Sequence, residues 1–133
     1  MKKSGILHPG ICELLAATGH TDYITICDRG FPVPDEPRRI DLALVDGIPT
    51  VLDVLRAIAA EWAIDRVVIA QEMEEASPQH VKGIRAVLDD LNLADVPLQV
   101  VSHMELKHLS RSARGTIRTA DTTPWGNIII VSG

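Results

Sequence analysis

The chain has 133 residues, of which 46% are hydrophobic and 3% aromatic, and its formal net charge is −5. This length suits a single domain over residues 1–133 with an aliphatic core, and the hydrophobic share excludes a disordered chain. The acidic balance argues against a general nucleic-acid binder, which normally presents a basic face, and favours a soluble protein with a small-molecule partner.

The cysteines and the N-terminus give the expected compartment. Cys12 and Cys27 lie among apolar neighbours without the spacing of a metal motif, which favours small buried hydrophobes. Lys2 and Lys3 are not followed by an apolar run of signal-peptide length, and no segment reaches the roughly 20 apolar residues of a membrane-spanning helix. We therefore expect a cytoplasmic protein without a membrane partner.

The first half of the chain alternates between predicted helices and strands. Pro9 near the first helical position and Gly19 as a stop predict a helix, so that His20 lies just past its end. β-branched residues predict a strand over Tyr23–Cys27. The elements that follow are a stiff loop with Pro32, Pro34 and Pro37, a strand over residues 39–44, a turn at Asp46 and Gly47, and a helix starting at Pro49 and Thr50 that bears Val51, Leu52, Leu55, Ala59 and Trp62 on one side.

The second half of the chain continues the alternation and ends with two strands. Its predicted elements are a strand over residues 66–70, a helix starting at Ser77 and Pro78, a strand over Leu98–Val101, a helix over His103–Ser110, and strands over residues 115–120 and 127–131. Because the last two strands have no helix between them, the sheet must be mixed. The sequence therefore predicts an α/β fold, a three-layer α/β/α sandwich with one mixed, mostly parallel sheet.

His20 and Asp28 are the first candidates for chemistry. A histidine that titrates near neutrality and a fixed carboxylate are a minimal set for proton transfer. A fully extended chain, at about 3.3 Å per residue, would hold the two residues more than about 20 Å apart. Either the chain folds back near Gly19, or the two groups meet across a subunit boundary.

Two further polar segments are candidates for ligand binding. His103 and Lys107 are four residues apart and share a face of their predicted helix, although solvent exposure is the more common explanation for such a pair. Trp125, Gly126 and Asn127 precede the last strand, and an aromatic face beside an amide suits a sugar.

A metal site is not expected. Glu72, Glu74 and Glu75 form an acidic group, but acidic residues are common near the start of a helix, and these precede Ser77 and Pro78. No well-spaced histidine accompanies them. We expect neither a metal nor another cofactor.

The chain resembles the D-ribose pyranase and L-fucose mutarotase family from end to end. The likeness rests on Gly19-His20-Thr21-Asp22, on Cys27-Asp28 with Gly30, Pro32 and Pro34, on Arg39-Ile40-Asp41-Leu42-Ala43-Leu44 with Gly47-Ile48-Pro49, on Ala70 with Glu72, on Ser102-His103, and on Pro124 with Asn127-Ile128-Ile129. Gly30 and the Arg39–Leu44 pattern favour the ribose branch over the fucose branch.

The resemblance implies a cofactor-free isomerase that interconverts the pyranose and furanose forms of D-ribose by acid/base ring opening and reclosure. It implies a ring-shaped homo-oligomer, a decamer of two pentamers. By position, His20 matches the proton donor of the family. The positions that match its sugar-binding residues are Asp28, His103, Trp125, Gly126 and Asn127.

Two departures from the family pattern affect the expected substrate. Trp125 replaces a tyrosine, which keeps a stacking face and loses a hydroxyl. Arg29 replaces a small residue beside Asp28, and a pair between Arg29 and the Asp28 carboxylate would lower the pKa of Asp28 and alter the choice of substrate. A mutarotase for another sugar such as L-fucose, or a non-catalytic sugar-binding accessory protein, therefore remains an alternative.

Overall fold

The computed structural model describes residues 1–36 and 38–133, so the predicted loop residue Pro37 lies outside the described residues. The strands are β1 (Tyr23–Cys27), β2 (Arg38–Asp41), β3 (Ile64–Ala70), β4 (Leu98–Val101), β5 (Gly115–Arg118) and β6 (Ile128–Ser132). The helices are α1 (Pro9–Ala17), α2 (Val51–Ala59), α3 (Gln71–Ala76), α4 (Pro78–Asp90) and α5 (His103–Ser110).

The described strands form one six-stranded sheet in the order β2-β5-β1-β6-β3-β4. β6 runs antiparallel to both of its neighbours, β1 and β3, while the pairs β1–β5, β2–β5 and β3–β4 are parallel. The predicted mixed, mostly parallel sheet is confirmed. β1 separates the last two strands, so the short segment between β5 and β6 crosses one strand and reverses direction.

Alternating side chains divide the core between the two faces of the sheet. Ile128 and Ile130 of β6 pack in the large cluster that includes α1, α2 and α4, whereas Ile129 and Val131 pack in the smaller cluster with Leu106 of α5. This is the period of two that an extended strand imposes. Helices therefore cover both faces, as the predicted three-layer α/β/α fold requires.

Local sequence explains where the helices begin. In α1, Nδ1 of His8 accepts a hydrogen bond from the N–H of Ile11 at 3.2 Å, and Pro9 takes the first helical position, where its missing N–H costs little. In α2, Thr50 and Asp53 form a reciprocal capping box, in which each side chain accepts from the other residue's N–H.

Several predicted boundaries were wrong. β2 ends at Asp41 rather than at residue 44, because the chain then forms a small hairpin in which the N–H of Leu44 donates to the carbonyl of Ile48. β5 ends at Arg118 rather than at residue 120, because the N–H of Ala120 donates to the carbonyl of Pro49 outside the sheet. The sequence did not predict α3, and Trp62 lies beyond the end of α2.

Cys27 is a buried hydrophobe, as predicted, and burial raises the pKa of its thiol to about 12. Cys12 is only partly buried, and its Sγ donates a hydrogen bond to the carbonyl of Ile6 at 3.1 Å. Among the described residues, no helix is both long and apolar enough to cross a membrane.

Candidate sugar-binding site

A polar cavity of about 320 Å³ opens at one edge of the sheet. The carboxyl ends of the parallel strands meet the amino end of β6 there, and this edge is where ligands bind in open α/β sheets. Its lining residues are Asp28, Gly30, Phe31, Pro32, His103, Lys107, Trp125 and Asn127. Four of the predicted site residues therefore share one cavity: Asp28, His103, Trp125 and Asn127.

Asp28 directly follows β1 and is fixed at the rim of this cavity. Its N–H donates to Oδ1 of Asn127 at 2.8 Å, and its own Oδ1 accepts from the N–H of Gly30 at 2.8 Å. Partial burial raises the pKa of Asp28, and the negative charge of Asp121 adds to this, although the hydrogen bond from Gly30 opposes it. The arrangement holds a hydrogen-bond acceptor at the cavity.

Asn127 lies immediately before β6 and is only 2% exposed. Because its Oδ1 accepts from the backbone of Asp28, the NH₂ group is the part of the amide that donates, and its hydrogen bond to the Asp28 carboxyl opposes the rise in the pKa of Asp28. An acceptor on Asp28 and a donor on Asn127 thus lie side by side, which is the pairing that a sugar hydroxyl can satisfy.

His103 begins α5 immediately after β4. Its backbone N–H donates to both carboxylate oxygens of Glu72, at 3.0 and 3.2 Å. The ring makes edge contacts with Phe31 and Trp125, at centroid distances of 6.3 and 4.8 Å. Nδ1 is buried and has no hydrogen-bond partner among the described residues. A buried ring nitrogen without a partner is suited to accept from or donate to a ligand hydroxyl.

The pKa of His103 is lowered, first by burial and then by the charge of Lys107, while Glu72 opposes the shift. The neutral imidazole is therefore the form present at neutral pH. As the pH falls below about 6.5, the unfolded chain takes up a proton on this histidine before the folded chain does. The free energy of unfolding therefore decreases as the pH falls from that value to the lowered pKa of folded His103, and it stays decreased below it.

Two charge-removing substitutions are expected to move the pKa of His103 in opposite directions. Lys107→Gln removes a nearby positive charge and should raise it, whereas Glu72→Gln removes a negative charge and should lower it further. An NMR titration of the His103 ring measures both shifts, with Lys82→Gln on α4 as the control. Shifts of the same sign in the two variants would contradict this electrostatic account.

Trp125 adopts a left-handed backbone conformation with φ of 60° and is 39% exposed. Gly126 is buried behind it and does not line the cavity. A β-carbon on Gly126 would lie 3.0 Å from the carbonyl oxygen of Thr123 and 3.5 Å from Nε2 of His80. The glycine therefore allows the loop to pack closely and offers a ligand no side chain.

His20 lies at the opposite edge of the sheet, exposed in the turn between α1 and β1. The turn is closed by the N–H of Asp22, which donates to the carbonyl of Gly19 at 3.1 Å. The five residues of β1, at about 3.3 Å each, span about 16 Å between this turn and Asp28. A single chain therefore does not bring His20 to the cavity.

Arg114, which the sequence analysis did not single out, holds the turn that bears His20. Oδ2 of Asp22 accepts from Nε of Arg114 at 2.9 Å and from the N–H of Gly19 at 3.1 Å. The hydrogen bond from Arg114 is the main reason that the pKa of Asp22 is lowered, followed by the bond from Gly19. The position of His20 is thus set by a link to the residue that precedes β5.

The predicted pairing of Arg29 with Asp28 is wrong. Arg29 bonds to Asp46 at 2.9 Å, since it points toward the small hairpin after β2, and the pKa of Asp28 is raised rather than lowered. Sequence reasoning also omitted Phe31 and Lys107 from the cavity. The spacing of His103 and Lys107 on one helix face was the available signal for Lys107.

The fold and cavity define an α/β protein with a site suited to a small, hydroxyl-rich ligand. The chain belongs to the RbsD / FucU transport protein family, which matches residues 1–133. The family predicted from the sequence is therefore confirmed.

Curated relatives of this chain include two named D-ribose pyranase. The protein from Geobacillus thermodenitrificans is 44% identical over 133 residues, which cover 100% of this chain and 97% of that protein. The protein from Clostridium novyi is 41% identical, with 100% and 98% covered.

Solved structures with a similar fold include two sugar complexes. Bacillus subtilis RbsD complexed with D-ribose has a TM-score of 0.91 and 36% identity, with 100% of this chain and 98% of that chain covered. The fucose mutarotase from Streptococcus pneumoniae in complex with L-fucose has a TM-score of 0.80 at 18% identity, with 96% and 93% covered, and this likeness concerns the fold alone.

Proposed function

We propose that the chain is a D-ribose pyranase, an isomerase that interconverts the pyranose and furanose forms of D-ribose without a cofactor. The observation that carries the proposal is the convergence of a carboxylate, an amide, an imidazole with an unpartnered nitrogen and an indole face on one small cavity. Relatives that are up to 44% identical over the whole chain are named D-ribose pyranase.

The proposed reaction needs only proton transfer. Ring opening requires a proton given to the ring oxygen and one removed from the anomeric hydroxyl, and reclosure through another hydroxyl reverses these roles. We assign His20 as the acid that protonates the ring oxygen, and the proton of the anomeric hydroxyl passes to solvent water. Asp28, His103 and Asn127 bind sugar hydroxyls, Trp125 stacks on the C–H face, and Gly126 allows the close packing of the loop that carries Trp125 and Asn127. Positioned proton transfer of this kind is worth on the order of 10²–10⁴-fold.

The proposal requires a second copy of the chain, because His20 and Asp28 lie at opposite edges of one sheet. The His20 edge of one copy would face the cavity edge of the next. Such a head-to-tail contact is heterologous, and it gives a ring when the rotation between successive copies closes. We propose a homo-oligomer of two pentameric rings. Sedimentation should find no stable monomer at working concentration, and a stable monomer would contradict the assembly.

We propose that residues 1–133 work as one domain, since the family match spans all of them. We also propose that the protein works in the cytoplasm, where thiols remain reduced, because both Cys12 and Cys27 are free thiols. Cell fractionation with an antibody tests the location.

Exchange NMR on ribose tests the proposed activity directly. The protein at catalytic concentration should accelerate exchange between the pyranose and furanose signals. Binding of ribose without accelerated exchange would instead identify a sugar-binding accessory protein. A panel with L-fucose in the same assay decides the substrate, since faster exchange of fucose than of ribose would identify a mutarotase for that sugar.

A further inference from the structure

The loop before β6 is attached to the start of α4 at two carbonyl groups. Oγ of Ser77 donates to the carbonyl of Pro124 at 2.7 Å, and Nε2 of His80 bonds the carbonyl of Gly126 at 3.1 Å. Because a carbonyl only accepts, Nε2 of His80 must carry the proton. These two carbonyls flank Trp125 on either side.

Neither side chain has an evident task within α4 itself. Ser77 occupies the N-cap position of α4, yet its side chain makes no cap hydrogen bond. His80 is 7% exposed, although it lies in the first turn of a helix. Burial of a serine and a histidine is unfavourable without partners, and here the partners of both are in the loop.

The residue between the two attached carbonyls has an unusual conformation. Trp125 has a φ of 60°, a region that side chains with a β-carbon rarely adopt. Such conformations persist where the surrounding structure determines them. With this backbone, the indole meets the ring of His103 at 4.8 Å and lines the cavity.

The start of the same loop is fixed independently. Oδ1 of Asp121 accepts from the N–H of Thr123 at 2.8 Å, and its Oδ2 accepts from the N–H of Val51 at 2.9 Å. Gly126 is so close to Thr123 and His80 that a β-carbon there would crowd both. The N–H of Gly126 also closes the turn around Trp125 by donating to the carbonyl of Thr123 at 3.1 Å. Among the described residues, only Ser77 and His80 bond the carbonyls on either side of Trp125.

We infer that Ser77 and His80 are positioning residues that set the sugar-binding face of the cavity by holding Trp125 in its left-handed conformation. Neither residue lines the cavity, and both act through the backbone carbonyls on either side of Trp125. The part of this inference that concerns ribose rests on the proposed function, whereas the part that concerns the geometry of Trp125 does not.

The test uses Trp125 as its own reporter. The chain has two tryptophans, so Trp62→Phe leaves Trp125 as the single indole. In this parent, His80→Ala and Ser77→Ala each remove one attachment, and His80→Gln keeps an N–H donor near the position of Nε2. Gln79→Ala is the matched control, since Gln79 is exposed and lies between the two attachments on the same turn.

Without sugar, acrylamide should quench Trp125 more strongly in His80→Ala and Ser77→Ala than in the parent. The midpoint of a ribose titration should rise by about fivefold to tenfold, which is the usual effect of losing one hydrogen bond. Ring exchange at saturating ribose should be preserved, since Trp125 binds the sugar and transfers no proton. His80→Gln should restore the parent midpoint, and Gln79→Ala should keep it.

Two results would overturn the inference. The first is folded His80→Ala and Ser77→Ala proteins with the quenching and ribose midpoint of the parent. The second is a loss of exchange at saturation with an unchanged midpoint. A parent that binds ribose without accelerating its exchange would refute the proposed function instead, and quenching of the sugar-free protein would still decide the role of Ser77 and His80.

Discussion

Replacing His20 with alanine is expected to slow ribose ring exchange by about 10²–10⁴-fold, the contribution of a positioned general acid. Ribose binding should persist, because the cavity is built from other residues at the opposite edge of the sheet. The fold should also persist, since His20 is exposed and the turn is held by Asp22, Gly19 and Arg114. Exchange NMR and a ribose titration measure the two effects separately.

His108→Ala is the matched control for His20→Ala, since His108 is another exposed histidine and does not line the cavity. It should exchange ribose as the unmodified protein does. If His20→Ala assembles correctly and keeps the full exchange rate, His20 is not the acid. The proton donor would then be a residue that lines the cavity.

Asp28→Asn is expected to weaken ribose binding by about tenfold to a hundredfold, since a charge-assisted hydrogen bond contributes about 1.5–3 kcal/mol. Asparagine keeps an oxygen that can accept from the N–H of Gly30, so the local turn should survive. Calorimetry or NMR titration with ribose gives the affinity, and circular dichroism checks the fold.

The pH dependence gives Asp28 a second signature. Burial raises its pKa, so the carboxylate becomes protonated at a higher pH than an ordinary aspartate, whose pKa is about 3.9. Ribose binding should therefore weaken as the pH falls through that raised pKa, and Asp28→Asn should remove this acidic limb. Asp46→Asn is the control, since that aspartate bonds Arg29 outside the cavity. An acidic limb that remains in Asp28→Asn would assign it to another group.

The fold could be predicted because its strands and helices have strong local signals. Tyr23–Cys27, Leu98–Val101 and His103–Ser110 have the bounds that β-branched runs and helical spacing indicated. The cavity could be predicted in part for the same reason: Asp28, His103 and Asn127 each lie where a strand begins or ends, so knowing the strands brings them to one edge.

What could not be predicted depends on contacts between segments that are distant in the chain. Nothing near Arg29 indicates that it prefers Asp46 over the adjacent Asp28, because that choice depends on where the hairpin after β2 lies. The anchoring of Trp125 by Ser77 and His80 joins residues about 46 positions apart. The location of His20 was left as a choice between two geometries, and only the direction of β1 excludes a shared site within one chain.

Mixing two variants that are each nearly inactive at ribose concentrations well below the midpoint of the unmodified protein tests the shared site most directly. His20→Ala lacks the acid but has an intact cavity, and Asp28→Asn has the acid but a defective cavity. When the two are denatured together and refolded in equal amounts, about a quarter of the head-to-tail contacts should pair an intact His20 with an intact Asp28. Exchange NMR should then find about a quarter of the unmodified activity. Activity no higher than that of the two variants refolded separately would contradict a site completed by a second copy.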